Sequence, residues 1–206
     1  MKIKFEKADF LYDLFEANGK ELESKLKSFY TIDGIEPEIN IDNNEVEIDI
    51  DSELINENKE DYEKLVNLSE RGQYNQAKKL AYNLIQKTPQ VSEYNRILGQ
   101  ILSEEGDQDE AVNFLIDSLK WNPENKSALL MMGNIFAKHK QDIDTALTYY
   151  NQILKFNKND YLALNNIGAN LMKSGRKEEA INYFQNALTA NPDYPNTHYA
   201  IALTNY

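Results

Sequence analysis

Residues 164–192 read LNNIGANLMKSGRKEEAINYFQNALTANP, and four landmarks in this stretch return elsewhere in the chain at one spacing. Gly168 lies inside an apolar, helix-periodic run, Gly175 interrupts it, Ala180 opens a second run and Pro192 closes it. Outward from here, Gly99, Gly133 and Gly168 recur at spacings of 34 and 35. Ala77, Ala111, Ala146 and Ala180 recur at 34, 35 and 34. Two small-residue series with a common period identify an internal repeat. A glycine inside a helix costs roughly 1 kcal/mol against alanine, so its return in three successive units calls for a close helix–helix approach. The alanine of the following helix is the expected facing partner.

Punctuation fits the same register. Gly72, Gly106 and Gly175 mark a turn within each unit, and Pro89, Pro123 and Pro192 mark the turn after it, where proline blocks helix continuation. Each unit is therefore expected to be a helical hairpin. The residues Leu98-Gly99, Leu102, Gly106, Ala111 and Pro123, and again Leu164, Ile167-Gly168, Leu171, Gly175, Ala180, Phe184, Ala187 and Pro192, resemble the tetratricopeptide-repeat motif. That resemblance implies a right-handed α-α superhelix, with units at 58–91, 92–125, 126–160 and 161–194 and a partial unit at 195–206. Two positions depart from the pattern. The third unit carries an extra residue within Lys138-His139-Lys140-Gln141-Asp142 and has Lys158 where proline is expected, and the first unit has Leu65 in place of the glycine.

Residues 1–57 do not repeat. They hold six Lys against sixteen Asp and Glu, a balance of −10, whereas residues 58–206 hold sixteen Lys and Arg against eighteen acids, a balance of −2. From Ala8 to Tyr30 the residues Phe10, Leu14, Phe15, Leu22, Leu26 and Phe29 share a helical face, with Asn18-Gly19 as a break. Glu38–Asp42 and Glu45–Ile50 alternate apolar and polar residues around Asn43-Asn44, the pattern of a β-hairpin, and Lys2–Phe5 can supply a third strand. The expected element is a small acidic α+β cap on the first repeat.

Several chemistries are excluded or disfavoured. Cysteine is absent, which removes disulfides, thiolate metal sites and thiol nucleophiles. A formal charge of −12 opposes nucleic-acid binding, and the N-terminus has neither a signal-peptide nor a membrane-span pattern, so a soluble cytoplasmic protein is expected. Asp42, Asn44, Asp49, Asp51 and Glu53 lack the order of a calcium loop and read better as the wet face of a hairpin. His139 and His198 stand in no triad or zinc spacing, and no glycine stretch continues as a phosphate loop. Neither catalysis nor any cofactor is expected.

The tetratricopeptide resemblance implies that the first helix of each hairpin lines a groove for a peptide or partner protein. Carried over residue by residue, the groove positions are Tyr62 and Val66, then Arg96 and Gln100. The third unit adds Ser127, Leu130, Met131, Asn134, Ala137 and Lys138. The fourth adds Leu162, Asn165, Asn166, Ala169, Met172 and Lys173, and the last helix adds Tyr199. Because Leu129, Met132, Ile135, Phe136, Leu164, Ile167 and Leu171 already fill the hairpin core positions, Leu130, Met131, Leu162 and Met172 form a surplus apolar strip suited to a ligand with apolar anchors. Lys138 and Lys173 add a preference for some acidic residues. The carboxylate clamp that grips heat-shock chaperone tails is incomplete, because Met131, Leu162 and Asn166 stand where Asn, Lys and Arg are needed; Arg96 and Gln100 cannot form it alone. Two alternatives remain open at this level: the repeat region of a larger enzyme such as a glycosyltransferase, whose repeats Asn165-Asn166-Ile167-Gly168 resembles, and a scaffold that self-associates through its uncharged final helix. A further possibility is that the acidic segment Thr31–Asn58 is itself a ligand of the groove.

Overall fold

The computed structural model describes residues 2–6, 19–30, 36–42, 45–49 and 52–204, and falls into two compact units, 1–125 and 126–206. In the first unit, strands β1 (Lys2–Glu6), β2 (Glu38–Ile41) and β3 (Glu45–Asp49) form an antiparallel sheet in the order β1-β3-β2. β3 is central because its alternation puts Val46 and Ile48 on one face, where both are fully buried. Helix α1 (Gly19–Tyr30) covers that face with Leu22 and Leu26, and Tyr30, Ile39 and Ile41 complete the cluster. The register sets Ile39 opposite Ile48 and Ile41 opposite Val46. The expected hairpin and third strand are thus present. The expected helical stretch Ala8–Asn18 and the turn Asn43-Asn44 lie outside the described residues.

The helices then run in pairs. In the first unit these are α2 (Ser52–Glu70) with α3 (Tyr74–Lys87) and α4 (Ser92–Glu105) with α5 (Gln108–Trp121). In the second they are α6 (Lys126–Ile135, continued by a π-turn at Phe136–Lys140) with α7 (Ile143–Phe156), then α8 (Tyr161–Lys173) with α9 (Lys177–Ala190), followed by α10 (Pro195–Thr204). α2 begins at Ser52, ahead of the boundary expected at residue 58.

Three hairpin turns share one closure. At Gly106 φ is +99°, and the Asp107 N–H reaches back five residues to the Leu102 carbonyl at 2.9 Å; a left-handed residue here costs glycine nothing. Gln73 to Leu68 and Arg176 to Leu171 repeat that bond at 2.9 Å. The third hairpin differs, and the extra residue anticipated near Lys138 explains it. The Asp142 N–H reaches back six residues to the Phe136 carbonyl at 2.9 Å, so the helix absorbs the insertion as a π-turn. Gln141 takes the left-handed position at φ +54° in place of glycine. Phe136, expected in the core, is half-buried here and stacks on Tyr149 at 5.7 Å between centroids. Where proline is missing after α7, Asp160 supplies the order instead: its Oδ1 accepts from the Ala163 N–H at 3.0 Å, and its Oδ2 sits 3.1 Å from Lys126 Nζ.

The recurring glycines do sit at close helix approaches, but the residues that occupy their space correct the sequence expectation. A Cβ on Gly133 would lie 2.3 Å from Tyr150 Cε1, and one on Gly168 would lie 2.6 Å from Phe184 Cε1. One on Gly99 would meet Leu115 Cγ at 2.9 Å, with the Ala111 carbonyl oxygen at 3.1 Å. The facing residue is thus the large one four positions after the periodic alanine, a full turn along the same face. In the first hairpin the sizes are exchanged: Leu65 is fully buried, and the position equivalent to Leu115, Tyr150 and Phe184 is Ala81, also fully buried.

Candidate functional site

The first helices of the hairpins supply the candidate surfaces, one in each unit. In the first unit the α2 and α4 faces meet at Tyr62 and Tyr94, whose rings lie 6.2 Å apart. Tyr94 is fully buried, and burial pushes its hydroxyl up to about 12, the Thr88 hydroxyl offsetting part of the effect. Along α4, side chains one turn apart are neighbours, and here they form a continuous chain. Arg96 Nε donates to Glu93 at 2.7 Å, Arg96 Nη1 donates to Gln100 Oε1 at 2.9 Å, and Gln100 Nε2 donates to Glu104 Oε1 at 3.0 Å. The Tyr74 hydroxyl of α3 ends the chain on Glu104. Arg96 is therefore a partly neutralised cation between carboxylates, and Val66 on α2 is half-buried.

In the second unit α6 presents Leu130, Met131, Asn134 and Ala137 half-buried, with Ser127 and Lys138 exposed. α8 presents Leu162, Asn166, Ala169 and Met172 half-buried, with Lys173 exposed. The neighbouring core residues Leu129, Met132, Ile135, Leu164, Ile167 and Leu171 are buried. Asn165 is placed differently from Asn166. It is 8% exposed, and its carboxamide oxygen accepts from the fully buried Thr197 hydroxyl of α10 at 2.9 Å, so this amide ties α8 to α10. Tyr199, one turn of α10 from the Pro195 end, is 67% exposed.

One contributor escaped the sequence reading. Tyr150 on α7 is fully buried, and its hydroxyl reaches through the hairpin to donate to Asn134 Oδ1 at 2.8 Å, with Asn170 of α8 beside it. Asn170 is 4% exposed and donates to the Asn166 carbonyl at 2.8 Å. A polar residue at a helix position otherwise occupied by core is a usable signal for such a buried network. Burial drives the Tyr150 hydroxyl far above the ordinary tyrosine range. Asn134 is thereby held in one orientation, with an apolar residue on either side along α6.

Among the described residues no group of three His, Asp or Glu is placed to hold a metal ion. Asp42 and Asp49 of the acidic hairpin are described, whereas Asn44 and Asp51 lie outside the described residues. His139 is exposed in the π-turn, and His198 Nε2 lies 2.6 Å from the Pro192 carbonyl oxygen. No helix among the described residues is long and apolar enough to cross a membrane.

Residues 96–125 match the family described as "Tetratricopeptide repeat". This stretch of α4 and α5 matches a tetratricopeptide repeat, and the other hairpins resemble it. Residues 124–205 also match the "TT21 fifth ARM repeats domain", another helical-repeat description. In Saccharomyces cerevisiae the "Peroxisomal targeting signal receptor" is 35% identical over 75 residues, which are 36% of this chain and 12% of that protein. The chain thus spans a small part of this curated relative. Among solved structures, MamA from AMB-1 is 25% identical with a TM-score of 0.57 over 69% of this chain and 77% of that one. YrrB, described as a tetratricopeptide protein with an unusual peptide-binding site, is 21% identical with a TM-score of 0.59 over 74% and 80%. Pseudomonas aeruginosa PilF is 17% identical with a TM-score of 0.64 over 69% and 64%. The last two likenesses concern the fold alone. The fold class is mainly α, that of tetratricopeptide helical hairpins, with a small α+β element before them.

Proposed function

We propose that this chain is a non-enzymatic scaffold whose tetratricopeptide face on α6 and α8 binds a protein partner through a short segment with apolar anchors. The observation that carries the reading is the surplus apolar strip. Leu130, Met131, Leu162 and Met172 stay half-exposed on helices whose hairpin contacts are already filled by buried Leu129, Met132, Leu164, Ile167 and Leu171. Thioether and leucine side chains adapt to varied apolar anchors, and Asn134 and Asn166 set amides among them. Lys138 and Lys173, both exposed at the ends of their helices, favour acidic residues in the ligand. The balance of charge fits: residues 126–206 hold eight Lys and Arg against six acids, whereas residues 1–125 hold fourteen against twenty-eight. Arg96 and Gln100 are proposed as a lesser, polar contact, because their bonding along α4 is already taken up. YrrB, alike in fold, is described as having a peptide-binding site, and the yeast relative is described as a receptor for a targeting signal. In this reading residues 1–57 cap the array formed by 58–206, and the cytoplasm is the proposed compartment.

The test is binding of fluorescent peptides that combine Leu or Ile anchors with Asp or Glu. Met131→Glu and Leu162→Glu should each weaken binding by about tenfold or more, the scale of a central anchor, without altering far-UV circular dichroism. Unchanged affinity in both variants would overturn the site. A second reading, self-association, is favoured by Tyr199 and Leu203 of α10, which are 67% and 53% exposed. Light scattering across a concentration series, with and without Tyr199→Asp and Leu203→Asp, separates the two.

A further inference from the structure

The hairpin of α6 and α7 differs from the others in what its second helix sends to the face of the first. One residue past the glycine position, the first helices carry Val66, Gln100, Asn134 and Ala169, and the position opposite the glycine carries Ala81, Leu115, Tyr150 and Phe184. Only the third pair is polar on both sides. There the Tyr150 ring lies across Gly133, where a Cβ would stand 2.6 Å from Cζ, so the missing side chain is what lets the hydroxyl reach the next residue. The hydroxyl donates to Asn134 Oδ1 at 2.8 Å. Gln100, with Leu115 opposite, is bonded along its own helix to Arg96 and Glu104 instead. Tyr150 is fully buried, and a buried hydroxyl is costly to leave unbonded, so the bond to Asn134 is held.

We propose that Tyr150 is a positioning residue that sets which hydrogen-bonding group the α6 face takes: by occupying Asn134 Oδ1 it turns the amide NH2 outward, toward a main-chain carbonyl of the bound segment. A carboxamide has one acceptor end and one donor end. With Oδ1 turned inward, Nδ2 is the end that half-exposed Asn134 offers a ligand. Leu130 stands half-exposed one turn before Asn134, and Lys138 stands exposed one turn after it. An ammonium group is also a donor without an acceptor. The polar groups of this stripe therefore agree, and the segment that fits it brings an apolar side chain to Leu130, a carbonyl to Asn134 and an acidic side chain to Lys138. The inference rests on the α6 face being the peptide site proposed above.

The test uses the fluorescent Leu/Ile and Asp/Glu peptides with the full chain, each variant checked for folding by circular dichroism. Tyr150→Phe keeps the ring over Gly133 and removes only the hydroxyl, and it should weaken binding about three- to tenfold, the worth of one hydrogen bond. Asn134→Ala should weaken binding by a similar factor, and Tyr150→Phe added to it should cost no further affinity, because the tyrosine acts through the amide. The same losses should appear with a peptide whose acids are replaced by amides, since the partner of Asn134 is main chain. In nuclear magnetic resonance the Asn134 carboxamide proton signal, identified by its absence from Asn134→Ala, should move downfield when peptide binds. Parent-like affinity in Tyr150→Phe, an equal loss in the Asn134→Ala background, or a carboxamide signal that stays in place would overturn the inference. If Met131→Glu and Leu162→Glu weaken binding while Asn134→Ala does not, the apolar strip stands and the donor falls; if none of these variants weakens it, both fall.

Discussion

Replacing Gly168 by alanine puts one methyl group into the contact between α8 and α9. The new Cβ would stand 2.6, 2.7 and 3.0 Å from Cε1, Cδ1 and Cζ of Phe184, distances that no relaxed pair of carbons holds. Phe184 is fully buried, so its ring has no open side to swing toward. Overpacking of a dense core costs about 1–3 kcal/mol, and the better helix propensity of alanine returns about 1 kcal/mol. Three ring atoms are encroached upon, so a net loss of about 1–2 kcal/mol is expected. Urea denaturation followed by circular dichroism measures it. The decisive comparison repeats the substitution in a Phe184→Leu background, where the ring edge is gone. There the penalty should fall by at least half, a coupling that identifies the pair as the origin of the cost. Equal penalties in both backgrounds, or a Gly168→Ala variant as stable as the parent, would refute the view that the periodic glycines exist to admit the large residue of the next helix.

Three further outcomes follow from individual bonds. Thr197→Val leaves the buried Asn165 oxygen without its donor and should cost about 1–3 kcal/mol, read as faster amide exchange in α10 than in α9. Asp160→Ala removes the cap on Ala163 and should cost about 1–2 kcal/mol in thermal unfolding; Lys126→Met should cost clearly less, because Lys126 is 44% exposed. Burial holds Tyr94 up to about 12, so folded protein favours the neutral phenol and loses stability as pH rises from about 10 toward 12. Absorbance at the phenolate band should show a late-ionising tyrosine that is missing from a Tyr94→Phe variant.

The repeat was legible because its signal is redundant: a glycine series, an alanine series, turn glycines and prolines all share one period. Redundancy also limited the reading. Ala111 and Leu115, Ala146 and Tyr150, Ala180 and Phe184 recur together, so a period alone cannot say which member of each pair fills the space over the glycine. The choice is made by the helix–helix approach, which brings the larger side chain onto the glycine in every hairpin but the first. There Leu65 stands at the glycine position and Ala81 at the position of the larger residue, both fully buried. The insertion near Lys138 was likewise visible as one residue too many. Its resolution as a π-turn was not, because widening the helix and lengthening the loop both add one residue, and only the six-residue return from Asp142 to Phe136 tells them apart.

The candidate faces were legible in kind and less so residue by residue. Leu130, Met131, Leu162 and Met172 stand half-exposed beside their buried neighbours, a separation that helical angle alone forecasts. Asn165 and Asn166 show where angle stops being enough: adjacent in sequence and identical in type, one is bonded to Thr197, 32 residues away, and the other is half-exposed. Polar partners at such separations depend on how the next helix docks, which no local pattern encodes. Glu36 is the extreme case. In the sequence it is one acid in a run without a single Lys or Arg from Ser28 to Asn58, where charge reads as wet surface. The fold nevertheless buries its Oε1 without a hydrogen-bond partner among the described residues, beside the buried Pro37 where the chain turns into β2. A residue that composition marks as solubilising thereby becomes one whose ionisation burial opposes.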